Sequence, residues 1–216
     1  MIPFRTAREI EAALSDAVLH LVRGGLLAYP TETVYGLGST TAKQAVTDLS
    51  ALKGREPGKP FLLLIAELAM LAVVRLRLTE AADRFASAFW PGPLTLVLPG
   101  GEGVLPDTLR GPEGGVAVRW TSHPGTARLV ATLGSPITST SANRPRQPAA
   151  LDGAQVEAVF GDEARAGRLL ILDAGRLAPS PPSTVVDCTG PAPRVIRHGA
   201  VSGDRLRAIV PATILA

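Results

Sequence analysis

Apolar residues recur through the first thirty positions in two rhythms. Ile10, Ala13, Leu14, Ala17, Val18 and Leu21 are spaced by threes and fours, which places them on one face of a helix. Thr6-Ala7-Arg8-Glu9 has the form of a capping box at its start, and Gly24-Gly25 supplies the glycine on which helices end. The rhythm then changes, and residues 26–29 make a short apolar run, the pattern of a buried strand. Pro30 cannot donate to a ladder, so the chain is expected to leave the sheet there. Thr31-Glu32-Thr33-Val34-Tyr35-Gly36-Leu37-Gly38 follows, an expected loop whose glycines would let a ligand approach the main chain closely. Loops at strand ends are where open α/β sheets usually bind ligands.

The same reading continues down the chain. A helix is expected over 42–52 and an unbroken apolar strand over 61–66, central because both its faces are apolar. Helices follow over 67–74 and 79–89, the second capped by Thr79. Trp90-Pro91-Gly92-Pro93 turns the chain into a strand over 94–98 whose only polar member is Thr95. Residues 100–115, rich in glycine and proline, read as an exposed loop. Next come a strand over 116–119, a helix over 123–133 and a short strand at 136–137 that runs into Thr138-Ser139-Thr140-Ser141-Ala142-Asn143. A mobile segment is expected over 144–151, then a helix over 152–160, strands over 169–173, 185–188 and 194–197, and a closing helix over 203–210. Strands and helices do not alternate cleanly, which predicts an α/β fold with an open, mixed sheet. No repeat or linker divides it, so one domain is expected over 1–216, with its core over about 6–200 and a short C-terminal tail.

Composition narrows the picture. A hydrophobic content of 46% is ample for a core and excludes a disordered chain. The single cysteine, Cys188, excludes an intrachain disulfide framework and suits a reducing compartment. No apolar run is long enough to span a bilayer, and the N-terminal residues lack the apolar stretch of a signal peptide, so a cytoplasmic protein is expected. The net charge of +3 is compatible with nucleotides or RNA but is far from a polybasic tail.

Three features carry candidate chemistry. Lys53, Arg55 and Lys59 put three cations within seven residues, which matches the charge spread of a triphosphate; the plain alternative is a solvated helix end. The run is not a Walker A loop, because its glycines are one residue too close and Pro60 stands where a Ser or Thr would ligate magnesium. Thr138–Asn143 crowds four hydroxyls and an amide at an expected strand end, a cradle for phosphate or carboxylate oxygens or simply a self-bonded turn. Arg119 and Arg197 each follow apolar strand residues, and Ser183 precedes another strand; a sheet margin suits both arginines to bidentate anion recognition. The three histidines, His20, His123 and His198, show no metal spacing, and there is no G-x-S-x-G elbow. A site of hydroxyls and cations without a nucleophile fits phosphoryl or nucleotidyl transfer by positioning.

Four segments occur in a telling order: Tyr29-Pro30-Thr31-Glu32-Thr33-Val34-Tyr35-Gly36-Leu37-Gly38, Lys53-x-Arg55, Ser139-x-Ser141-Ala142-Asn143 and Ser183-Thr184-Val185-Val186-Asp187. Together they resemble the YrdC-like family of threonylcarbamoyl-AMP synthases, in the short TsaC-type form without an extra C-terminal domain. The resemblance implies a twisted sheet around a large concave cavity. It also implies a nucleotidyltransferase that converts L-threonine, bicarbonate and ATP to threonylcarbamoyl-AMP and pyrophosphate, for the N6-threonylcarbamoyl modification of adenosine 37 in tRNA. It assigns threonine to Thr33, Arg119, Ser139 and Ser183, and ATP to Lys53, Arg55, Lys59, Ser141, Asn143 and Arg197, with Lys53 and Arg55 stabilising charge. Mg²⁺ would accompany the ATP, with its ligands unspecified, and partner proteins would transfer the product to tRNA. Two positions depart from the family pattern: Leu64 stands where longer members often carry a histidine, and Arg119-Trp120-Thr121 replaces Arg-x-Pro. The alternatives are a module that binds double-stranded RNA or tRNA with a vestigial nucleotide pocket, and a carbamoyl-transfer relative. The second is disfavoured because the zinc-finger cysteines that accompany such a domain are missing.

Overall fold

The computed structural model describes residues 1–55 and 58–215. Strand β1 (Ile2–Pro3) leads into α1 (Ala7–Val22), whose capping box forms as expected, with Thr6 Oγ1 accepting from the Glu9 N–H and Glu9 reaching back to the Thr6 N–H. A hairpin follows, β2 (Leu26–Pro30) and β3 (Tyr35–Gly38), then α2 (Lys43–Lys53), which ends on Gly54 in the left-handed region. Next come β4 (Leu62–Ile65), the short α3 (Ala69–Val73), α4 (Glu80–Phe89) capped by Thr79, and β5 (Leu94–Leu98). Then β6 (Val116–Trp120), α5 (Pro124–Leu133), β7 (Ile137–Ser141), α6 (Gly153–Arg165) and β8 (Leu169–Asp173) follow. The described chain closes with β9 (Thr184–Asp187), β10 (Arg194–Arg197), α7 (Gly203–Ile209) and β11 (Ile214–Leu215).

The strands form one sheet in the order β1-β8-β2-β3-β7-β4-β6-β5-β9-β10-β11, mixed as expected, with parallel pairs such as β4/β6 and antiparallel pairs such as β4/β7. β4 stands in the middle, and its Leu63, Leu64 and Ile65 are fully buried. Leu64 sits at its core, paired with Arg119 in β6 and Ile137 in β7. Among the described residues no helix is long and apolar enough to cross a membrane.

Several local expectations change. Pro30 does not leave the sheet; it pairs with Tyr35 and closes the β2–β3 hairpin. Tyr35 directs its N–H to the Ala150 carbonyl and its carbonyl to the Ala142 N–H, both away from Pro30. The two therefore form a non-hydrogen-bonded pair, the one antiparallel position that asks no donor of a proline. Residues 35–38 are a strand rather than a loop, and neither Gly36 nor Gly38 has a positive φ. Their side-chain space is taken from within. A Cβ on Gly36 would stand 3.1 Å from the buried Tyr29 ring, and one on Gly38 would stand 2.2 Å from the Thr138 carbonyl oxygen.

The run of hydroxyls from Thr138 lies on β7 itself rather than beyond a strand end. Segment 100–115 is not wholly exposed, since Leu105 and Leu109 are buried and a 3₁₀ turn forms over Asp107–Leu109. Segment 144–151 is tied down: the Asn143 amide donates to the Arg144 and Gln147 carbonyls, and the Ala150 N–H to the Ala142 carbonyl. Helix α6 runs on to Arg165, past a kink at Phe160.

The glycine geometry gives a graded test. Gly38→Ala sets a methyl against backbone and is expected to destabilise the fold by about 3 kcal/mol, the upper range for overpacking. Gly36→Ala meets only side-chain atoms that can shift, and should lose less than half as much in urea unfolding. Equal losses would contradict this packing.

Candidate functional site

The concave face of the sheet encloses a cavity of about 620 Å³. The β2–β3 turn contributes Thr31 and Thr33, β5 contributes Thr95, β6 Arg119, and β7 Ser139, Thr140 and Ser141. Ser183 enters just ahead of β9, Arg197 at the end of β10, and Arg55 just after α2. Residues as far apart in the chain as Thr33 and Arg197 therefore share one wall because β3, β7, β4, β6, β5, β9 and β10 are consecutive neighbours.

Eight of the ten residues assigned by sequence line this cavity: Thr33, Arg55, Arg119, Ser139, Ser141, Asn143, Ser183 and Arg197. Lys53 and Lys59 do not. Lys59 is exposed, and its carbonyl accepts from Arg55 Nε. Lys53 is only 7% exposed and points back into the protein. Its Nζ donates to the Ser141 carbonyl at 2.7 Å, the Asn143 carbonyl at 2.6 Å and Asn143 Oδ1 at 2.5 Å. Lys53 thus fixes the chain where β7 opens into the loop, and so fixes Ser141 and Asn143. Burial, and secondly the Arg55 guanidinium, push its ammonium down to about 8, while three oxygen acceptors favour the protonated form at neutral pH.

Arg55 is held from three sides. Nε donates to the Lys59 carbonyl, Nη1 to Thr140 Oγ1 at 3.0 Å and Nη2 to the Pro60 carbonyl, and the guanidinium lies 4.3 Å from the centroid of the Phe61 ring. Of the five N–H donors of an arginine, these bonds use three among the described residues, and the side chain lines the cavity. Burial pushes this guanidinium below its ordinary range.

Arg119 and Arg197 line the same cavity. Burial, and next the charge of Arg119, push Arg197 down, so the two guanidinium groups feel one another. Arg197 donates through Nε and Nη2 to the Ser183 carbonyl and through Nη2 to Ser183 Oγ at 2.9 Å. Ser183 Oγ in turn lies 2.8 Å from Thr95 Oγ1. Arg119 has one countercharge, Glu32, with Nε 3.4 Å from Oε1. Its terminal nitrogens have no hydrogen-bond partner among the described residues. On the turn, Thr31 Oγ1 donates to the Val34 carbonyl and lies 3.0 Å from Thr33 Oγ1.

Sequence reading missed Glu32, Thr95 and Thr121 as site residues. Thr95 carried a signal, as the lone polar residue of an apolar strand. Glu32 stood within the first signature segment and Thr121 in a departure from the family pattern, but neither position showed that the two side chains meet each other and Arg119. His20 and His123 have structural roles: the His20 ring reaches the Leu26 carbonyl, and His123 caps α5 by accepting the Thr126 N–H on Nδ1. Among the described residues no three His, Cys, Asp or Glu side chains gather to hold a metal ion. Glu32 is already engaged by Arg119 and Thr121. The donor set does not fit a resident Mg²⁺, and such an ion would arrive on the phosphates of a nucleotide.

The chain thus falls in the class of open mixed α/β sheets that gather arginines and hydroxyls around one hollow. The chain belongs to the Sua5/YciO/YrdC family, whose model, described as "Telomere recombination", matches residues 20–199. It is 37% identical over 189 residues to a threonylcarbamoyl-AMP synthase of Chromohalobacter salexigens, across 83% of this chain and 95% of that one. The crystal structure of Pyrococcus abyssi Sua5 complexed with L-threonine superposes with a TM-score of 0.88 at 32% identity, covering 100% of this chain. This chain spans 62% of the length of that Sua5 chain. The structure of Escherichia coli YciO superposes with a TM-score of 0.80 at 25% identity, over 95% of this chain and 97% of that one.

The inward role of Lys53 yields a direct test. Lys53→Met leaves three acceptors without their donor and is expected to lower unfolding free energy by about 3 kcal/mol in denaturant titration. An unchanged midpoint would show that Lys53 does not hold this loop.

Proposed function

We propose that the cavity synthesises threonylcarbamoyl-AMP from L-threonine, bicarbonate and ATP, releasing pyrophosphate and water. The observation that carries this reading is a single wall with two chemistries. Arg119 and the hydroxyls of Thr33, Ser139 and Ser183 line the same cavity as Arg55, Ser141 and Asn143.

The carboxylate of threonine forks onto Arg119. The surrounding hydroxyls read its side-chain hydroxyl, and a site built to hydrogen-bond a substrate hydroxyl strongly rejects the analogue without it. ATP lies toward Arg55, Ser141, Asn143 and Arg197, with Lys53 holding Ser141 and Asn143 from behind and Lys59 at the exposed margin. The neutral amine of threonine adds to the carbon of bicarbonate and water leaves. An oxygen of the resulting carbamate then attacks the α-phosphorus, and the bond to the β-phosphate breaks in line. The residues supply no nucleophile; they orient the reactants and neutralise charge that develops on the departing pyrophosphate. The product is an activated donor of a threonylcarbamoyl group, suited to modification of adenosine 37 in tRNA by partner proteins.

The test is pyrophosphate release by the purified chain with ATP, Mg²⁺, bicarbonate and L-threonine. Release that requires threonine is expected, and a folded protein without it would reject the assignment. Arg55→Ala is expected to lower kcat/KM by at least about 10²-fold, as for other losses of transition-state charge stabilisation. Near-normal turnover would remove Arg55 from that role.

A further inference from the structure

We infer that Glu32 and Thr121 form a clamp that sets the direction of Arg119, and so this chain's grip on an amino-acid carboxylate. The inference rests on the assignment of Arg119 to the substrate carboxylate and adds two positioning residues behind it.

The backbone of Arg119 is fixed by pairing with Leu64 in the central strand, but its long side chain has four rotatable bonds that the sheet does not set. With a side chain only 6% exposed, its charge needs a partner. Glu32 supplies it side-on. Oε1 faces Nε at 3.4 Å, and both atoms are buried without a hydrogen bond of their own. Oε2 accepts from Thr121 Oγ1 at 2.7 Å. A guanidinium has two edges on which a carboxylate can sit bidentately, one that includes Nε and one that joins the terminal nitrogens. Glu32 covers the first and leaves the second to the cavity.

Both clamp residues stand on fixed frames. The His123 N–H donates to Thr121 Oγ1 at 3.2 Å, so the hydroxyl proton is directed to Glu32. Thr126 Oγ1, in the first turn of α5, donates to the Pro30 carbonyl at the base of the turn that carries Glu32. The turn is closed by Thr31 and Val34. Glu32 is therefore held from β6 and from its own hairpin, and neither Glu32 nor Thr121 lines the cavity. They act through Arg119.

The experiment is calorimetric binding of L-threonine and of L-threoninol, which lacks the carboxylate, to the full chain and its variants. Thr121→Val, which keeps shape and removes the hydroxyl, is expected to weaken L-threonine binding about tenfold, the size of one hydrogen bond to a charged group. L-threoninol binding should stay unchanged, and Thr121→Ser should restore L-threonine binding. Glu32→Gln should weaken L-threonine binding by at least about tenfold, since it removes the charge that faces Arg119 Nε. In turnover, KM for threonine should rise by the same factor, with kcat within about twofold. Variants that bind threonine like the parent, or lose threonine and threoninol equally, would overturn the clamp. A parent chain that binds threonine but releases no pyrophosphate would overturn the synthase assignment alone, and one that binds no threonine would overturn both.

Discussion

Two guanidinium groups confined to one wall of a partly enclosed hollow are the constraint around which this molecule is arranged. Arg119 is buried, so little water screens its charge, and that charge is felt by Arg197, which is exposed at the end of β10. The fold offsets this with one carboxylate, Glu32, beside Arg119, and with the carbonyl and hydroxyl of Ser183 beneath Arg197. The remaining imbalance faces the cavity. An anionic ligand proposed for this cavity would supply the countercharge that the protein withholds.

The sheet makes that arrangement affordable to the backbone. Tyr29 lies fully buried under the β2–β3 hairpin, donates its hydroxyl to the Thr138 carbonyl, and fills the space that Gly36 and Gly38 leave. Burial drives the phenol's pKa upward, so it remains a neutral donor. The two glycines are therefore packing residues, and through Tyr29 they fix the distance between the threonine turn and β7. On β7, Ser139 and Ser141 line the cavity, while Thr138 is buried and spends its hydroxyl on Ser39 at 2.9 Å.

Periodicity and punctuation made most of the fold legible. The capping box of α1, the strand over Leu94–Leu98, the central β4 and the mixed sheet all follow from spacing, turn residues and unbroken apolar runs. Pro30 and the glycines after it were misleading because their local chemistry favours a loop, whereas a pairing that needs no donor at Pro30 and a ring that needs no Cβ opposite it keep β2 and β3 in the sheet. The mobile-looking 144–151 segment was misleading for a related reason: Asn143 and Ala142 anchor it through bonds that composition does not reveal. For the site, residue type at the ends of apolar runs was enough to find Arg119, Arg197, Ser183 and the β7 hydroxyls. It could not find Glu32, whose neighbours Thr31 and Thr33 face the cavity while Glu32 turns behind them.

Lys53, Arg55 and Arg144 show why a cation's type does not settle its task. Each stands near the same end of the cavity, yet the acceptors around them differ. Lys53 spends its donors on Ser141 and Asn143, and Arg144 spends one on the Leu52 carbonyl while lying over the Phe160 ring and near Glu163. Of the three, Arg55 is the one that lines the hollow, held there by its bonds to Lys59, Thr140 and Pro60. In the proposed reaction a nucleotide phosphate would meet one preorganised guanidinium on a scaffold braced by two other cations, which limits the reorganisation needed as charge builds on the leaving group.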